Sequence, residues 1–222
     1  MVPAMVMLTS LRQHAAHASS LGAVVPIASV ASIPFIAAGL VHWPFAAAMA
    51  FTAMIGARAG AGVMARMSER QLRGAFIVLM LFVAARLLIG VDNRVAPPED
   101  IGAASFIVPG LAIGLLAGLA SALFGIGGGL IMVPLMVLTG MPQHLAQGTS
   151  LVAIVPTALV GARAHRRRGY LEIRTVIPLA IGGLIGGFAA SLVALELDAA
   201  LLQRGLVVLL IVAVTQLARR TT

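Results

Sequence analysis

The chain contains no cysteine and no lysine, a single Trp and a single Tyr, and only 10% charged residues over 222 positions. Without cysteine it has no disulfide, no thiolate metal site and no dithiol redox motif. A soluble domain of this size carries about 25% charged residues. The polar side chains present here are too few to cover a water-facing surface, which excludes an ordinary cytosolic enzyme. Disorder is excluded by the opposite argument, because disordered chains are poor in apolar residues. The opening MVPAMVMLTSLRQH lacks the basic, apolar, small-residue order of a secretory signal. No HExxH, GxSxG, P-loop or pair of intramembrane acids occurs, so neither an enzyme nor nucleotide hydrolysis is expected. Neither a cofactor nor a bound metal is expected.

What the chain does have is apolar length. Its hydrophobic fraction is 60% and its mean hydropathy is +1.06. This composition predicts an all-α, polytopic helical membrane protein whose first partner is the lipid bilayer. At about 20 residues per span, the chain holds seven or eight transmembrane or half-spanning helices. The net charge of +8 comes from fifteen arginines against seven acids. In a soluble protein it would suggest nucleic acid. Here most arginines fall in short loops, where positive charge sets membrane orientation, so no nucleic-acid partner is expected.

Apolar runs occupy 20–41, 44–66, 74–91, 105–124, 149–165, 174–195 and 203–218, with a short piece at 129–140. At 1.5 Å per residue the short piece reaches about 18 Å, which suits a half-helix, a re-entrant segment or a strongly mismatched crossing. Arginines mark three loops or ends: Arg66, Arg70 and Arg73; Arg166, Arg167, Arg168 and Arg174; and Arg219 and Arg220. By the positive-inside rule these are cytoplasmic. The Pro-rich acidic segment VDNRVAPPEDI and the loop with Glu196 and Asp198 then fall outside. The alternation closes only if 129–140 carries the chain across. The expected organisation is a first repeat at 1–91, a linker at 92–104 and a second repeat at 105–222.

The repeat is visible on shifting the chain by 130 residues. QHAAHASSLGAVVPIASV at 13–30 then lies over QHLAQGTSLVAIVPTALV at 143–160, with ten of eighteen positions identical. Matches of Ala, Val and Leu are cheap in this composition, but Gln13/Gln143, His14/His144, Ser20/Ser150 and Pro26/Pro156 are not. Membrane proteins built from two halves often place a substrate between them. The first copy begins where the second reads MVPLMVLT, so it lacks a counterpart to the helix at 105–124 and to the glycine cluster after it. The chain is therefore expected to be a shortened form of a longer transporter, with a natural short form as the alternative.

That cluster, Gly125-Ile126-Gly127-Gly128-Gly129, disfavours continuous helix and exposes backbone N–H groups. A half-helix beginning near Leu130 would aim its positive dipole end at the break, a ready site for an anion. The competing reading is that the glycines only allow close helix packing. Thr149 and Ser150 can cap the next helix or donate hydroxyls to an oxyanion. Their counterparts in the first half are Ser19 and Ser20. Pairs of glycines four apart (Gly110, Gly114 and Gly118; Gly56 and Gly60; Gly182 and Gly186; Gly183 and Gly187) read as packing seams. Arg58, Arg86 and Arg163 sit in apolar runs. Arg163 is expected to snorkel, Arg86 to reach the interface or pair with Asp92, and Arg58 to be the best candidate for a fixed charge near a permeating anion. His14 and His144 suit either a proton-gating role or an interfacial one, and His42-Trp43 an interfacial anchor.

The stretch GIGGGLIMVPLMVLTGMPQHLAQGTSLVAIVPTALVGARAHRRRGYLE, 125–172, resembles the sulfite exporter TauE/SafE family of bacterial membrane permeases. The resemblance rests on the glycine cluster, Pro134 after it, the Thr149-Ser150-Leu151 step and Gly161 to His165 before a basic turn. A weaker copy at 1–91 resembles the rear part of that family's first repeat. The resemblance implies a multi-pass secondary permease of the bacterial inner membrane, associated with sulfite, sulfonates and related sulfur oxyanions. On this reading the partner is a small anionic substrate, with a homo-oligomer compatible. Gly125, Gly127, Gly128 and Gly129 would supply the backbone site. Thr149, Ser150, Ser19 and Ser20 would supply hydroxyls. Pro134, Pro156 and Pro26 would break or stiffen helices around it, and Arg58 would add charge. The alternative is a non-transporting accessory protein or an inactive truncated permease.

Overall fold

In the computed structural model the described residues are 13–89, 103–125, 127–198, 200–202, 204, 205, 208, 211, 212 and 215. The acidic linker, the apolar run at 203–218 as a whole, Arg219, Arg220 and the first twelve residues lie outside them, as does the side chain of Arg86. Seven helices are fully bounded: α1 Gln13–Ala37, α2 Trp43–Met64, α3 Glu69–Ile89, α4 Ala103–Phe124, α5 Gly129–Leu138, α6 Gln143–Arg167 and α7 Ile173–Glu196. Among the described residues there is no strand. Five stretches (His14–Ala37, Trp43–Met64, Ile107–Phe124, Gln143–Arg167 and Ile173–Glu196) are long and apolar enough to cross a membrane. The all-α, multi-pass expectation therefore holds.

Helix starts are where sequence and structure part. The apolar pattern places the first turns of α1 and α6 at 20 and 149, yet both helices begin six or seven residues earlier. The extra turns carry polar residues that are not left in water: His17 and Ser19 are buried, and His14, His144 and Gln147 are half-buried. Hydropathy does not separate polar residues satisfied by tertiary partners from polar residues in water. α3 likewise starts at Glu69 rather than 74, because Ser68 and Gln71 form a reciprocal capping pair. The Ser68 amide donates to Gln71 Oε1 at 2.9 Å and the Gln71 amide donates to Ser68 Oγ at 3.2 Å.

Packing is set by glycine where backbones cross. On α2 and α4, which pair extensively, a Cβ at Gly56 or Gly60 would strike the carbonyls of Leu115 or Leu119. One at Gly114 or Gly118 would strike those of Met49 or Ala53. This is the close approach that small residues permit within a bilayer, where apolar side chains gain little by leaving lipid. The same spacing on α7 is not filled. Gly182 and Gly186 have open space around them, Ile181 and Ile185 are exposed, and Gly187 rests against Ile27 of α1. The seam expected at Gly182 and Gly186 is thus a free face among the described residues.

Several contacts occur twice, 130 positions apart. Ser19 Oγ accepts the Glu172 amide at 3.0 Å, and Thr149 Oγ1 accepts the His42 amide at 2.9 Å. His14 Nε2 donates to the Met67 carbonyl and His144 Nε2 to that of Leu197, both at 3.1 Å. Gly39 and Gly169 lie just past the ends of α1 and α6, with φ of 71° and 75°. α1 packs on α6 and α7, and α6 on α1 and α2. The arginine loops gather at one end, where His14 meets Met67 and Tyr170. His144 and Leu197 mark the other. Between Phe124, bonded to His17, and Gln143 the chain travels from the first end to the second, as the alternation of loops requires.

Candidate functional site

The site is built on the break between α4 and α5. The Phe124 carbonyl ends α4 and accepts a hydrogen bond from His17 Nδ1. Gly125, Gly127 and Gly128 then take φ of 65°, 73° and 89°, a region that L side chains rarely adopt. Gly125 also lies so close to the His17 carbonyl that a Cβ would overlap it. Gly127 sits between Val24 of α1 and Ile154 of α6, and Gly129 lies against Ile154. Val24 and Ile154 are each the twelfth residue of a 25-residue helix. Gly127 and Gly129 therefore lie at the mid-level of both long helices, where α5 begins, while Gly125 lies nearer the start of α1. With ten residues it is about 15 Å long, a half-helix.

Gly128 is the N-cap of α5, and it offers no side chain to its own helix. The first N–H groups of a helix have no intrahelical acceptor, and they carry the positive end of the dipole. Beside this end stands Ser121 of α4, whose Cβ is 3.6 Å from where a Gly128 Cβ would be. Ser121 is fully buried, and its Oγ has no partner among the described residues. Buried hydroxyls are normally bonded, so an unpartnered one calls for a reason. Gln147 Oε1 on α6 is buried and unpartnered too.

The expected site residues divide. Ser20 lies three residues after His17 and four before Val24, so it shares their face of α1. Ser150 lies four before Ile154, on the matching face of α6. Both are buried, and Ser150 Oγ donates to the Gln147 carbonyl at 2.9 Å. Ser19 and Thr149 point elsewhere. They hold the amides of Glu172 and His42, the residues just before α7 and α2. The capping role expected of Thr149 within its own helix is replaced by this cross-helix role, since α6 begins at Gln143. Pro134 lies buried inside α5, and Pro26 and Pro156 lie inside α1 and α6. Arg58 is not at the glycine turn. It lines a separate crevice with Arg163, Arg167 and Arg168. His14 and His144 donate to backbone carbonyls rather than standing free. His42 caps α2 by accepting the Phe45 amide on Nδ1 at 3.2 Å.

Ser121 and Gln147 escaped the sequence reading. Ser121 had one available signal, being the hydroxyl one turn before the glycine cluster. Gln147 had another, since it occupies the repeat position of His17. The latch made by Thr149 is directly testable. Thr149→Val keeps the shape but leaves the His42 amide without its acceptor. It is expected to lower stability by about 1–3 kcal/mol, read as an earlier thermal transition in detergent. Ser150→Ala, which removes only a bond within its own helix, is expected to shift it far less.

The family described as "Sulfite exporter TauE/SafE" matches residues 1–87 and 110–222. A "Probable membrane transporter protein" of Xylella fastidiosa (strain 9a5c) is 29% identical over 162 residues, 72% of this chain and 62% of the relative. A protein of the same name from Haemophilus influenzae is 36% identical over 102 residues, 42% of this chain and 39% of its own. "Probable membrane transporter protein YjnA" of Bacillus subtilis is 36% identical over 80 residues, 36% of this chain and 30% of its own. The match spans about three fifths of the length of the Xylella relative. No solved structure matches the chain.

Proposed function

Because the chain belongs to the sulfite exporter TauE/SafE family, we propose that it acts as a secondary permease for a small sulfur oxyanion, sulfite or a sulfonate. The observation that carries this reading is the N-terminus of α5 at mid-level, beside the unpartnered Ser121 hydroxyl. Sulfite and sulfonate groups present three oxygens around one sulfur. The first free amides of α5 and the Ser121 hydroxyl offer several donors from different directions, and the helix dipole favours negative charge. Only neutral donors are used. An ion held this way binds through charge-assisted hydrogen bonds without a fixed counter-charge to trap it, which suits release on either side. Ser20 and Ser150 stand on matching faces of α1 and α6 on either side of the turn. A two-fold arrangement of the halves around this point would let them exchange roles as access alternates.

Ser121→Ala tests the site. Its hydroxyl has no protein partner among the described residues, so the variant is expected to unfold at the wild-type temperature. A hydrogen bond to a charged group is worth about 1.5–3 kcal/mol, so sulfite or methanesulfonate affinity, read by titration calorimetry, is expected to fall about 10- to 100-fold. Wild-type protein with no response to sulfite, sulfonates or thiosulfate would reject the substrate class. A second reading, a non-transporting accessory protein, draws on the free glycine face of α7. It expects neither binding nor flux.

A further inference from the structure

A second polar feature lies away from the glycine turn. Between α2 and α6, at the arginine-rich end, is a crevice of about 500 Å³ lined by Arg58, Val160, Arg163, Ala164, Arg167 and Arg168. Arg58 stands six residues before the end of α2, about 9 Å inside it. Arg168 folds back toward α2. One of its terminal nitrogens donates to the Ala164 carbonyl at 3.1 Å, and the other lies 3.5 Å from the Cβ position of Gly62. Among the described residues none of the four guanidinium groups is paired with a carboxylate.

Four like charges around one hollow repel one another unless an anion joins them. All four arginines are exposed, so snorkelling can carry each head to water, yet all four line one crevice. Nor does the fold require the charges. The positions 130 residues away are Phe188, Val30, Ile33, Pro34, Ala37 and Ala38, without a single charge among them.

The flanking surface indicates the kind of anion. Phe51 and Ile55 precede Arg58 at helical spacing on the same face of α2, and Leu159 precedes Arg163 on α6. All three are exposed. An apolar, bilayer-facing strip thus leads directly to a basic hollow. Guanidinium forks match the paired oxygens of a phosphodiester, and basic pockets between transmembrane helices bind anionic headgroups. We infer that the crevice between α2 and α6 binds the headgroup of an anionic phospholipid, with its acyl chains along Phe51, Ile55 and Leu159. The site does not depend on the sulfur-oxyanion proposal.

The test measures retention of dioleoylphosphatidylglycerol against dioleoylphosphatidylcholine on the delipidated full chain by native mass spectrometry. Wild type is expected to retain the anionic lipid at least tenfold better. Arg58→Gln with Arg163→Gln is expected to remove that preference, leaving helical circular dichroism and methanesulfonate affinity unchanged. Should the double variant fold poorly, Arg58→Lys alone is expected to weaken retention by losing the fork while keeping the charge. Equal retention of the two lipids by wild type would overturn the inference. So would a preference that survives both arginine substitutions. Inorganic phosphate displacing the anionic lipid at millimolar concentration would also overturn it, since the hollow would then serve a soluble anion.

Discussion

Gly118→Ala is expected to prevent the chain from reaching a stable folded state. The added methyl would overlap the carbonyl oxygen, carbonyl carbon and Cα of Ala53. All three are backbone atoms, so no rotamer change relieves the clash and the two helices must separate. Overpacking a well-filled core costs about 1–3 kcal/mol. Here the separation also unseats Gly56, Gly60 and Gly114, which interlock along the same line. The loss is therefore expected at or above the top of that range. The control is Gly182→Ala on α7, which has the same four-residue glycine spacing but nothing within 4 Å. That substitution adds helix propensity worth about 1 kcal/mol and is expected to be neutral or stabilising. Thermal unfolding in detergent, followed by circular dichroism, checks both. A Gly118→Ala protein that melts with wild type would mean that α2 and α4 do not cross at these glycines.

Gly128→Leu is expected to abolish transport in a chain that still folds. Two effects act at this position, and alanine separates them. Gly128 has a φ of 89°, so any side chain there is strained, at about 1–3 kcal/mol. The nearest atoms to a Cβ are the Ala117 carbonyl oxygen at 3.2 Å and Met132 Cε at 3.3 Å, so a methyl is tight but accommodated. Gly128→Ala should therefore lose stability and keep reduced flux. A leucine reaches further, toward Met132 and the Ser121 side chain beside the start of α5. Sulfite uptake by proteoliposomes is expected to fall to a fraction of wild type for alanine, and to the level of empty vesicles for leucine. Equal flux in Gly128→Ala and Gly128→Leu would place the path elsewhere.

Five of the spans, the charged loops between them and the half-helix were legible in the sequence because each is written in local composition. Glycines at 125, 127 and 128 predict a helix break, and the left-handed backbone angles found there are the physical reason for them. What stayed hidden depends on partners distant in the chain. The first turns of α1 and α6 look like loop because His14, His17 and Ser19, and His144 and Gln147, are polar. His17 and Ser19 are buried because they bond to Phe124 and Glu172, 107 and 153 residues away. Arg58 looked like a substrate ligand because an arginine in an apolar run invites that role. Which way it faces follows from α6 lying beside it. Gly56 and Gly186 stand 130 positions apart, at matching places of the expected repeat. One is locked against α4 and the other is open, a difference that no spacing reveals.

The central claim is that an anion sits at the start of α5 beside Ser121. The absence of native cysteine allows a direct test, since Ser121→Cys places the only thiol of the chain at that point. Alkylation by iodoacetamide should proceed, because a path that admits a hydrated anion admits the reagent. Methanesulfonate should slow it in a saturable way, while chloride at equal ionic strength should not. In a separate variant, Gly182→Cys, the thiol lies on the open face of α7 and should react at the same rate in either salt. A thiol at position 121 that does not react, or that methanesulfonate leaves unprotected, would contradict the account.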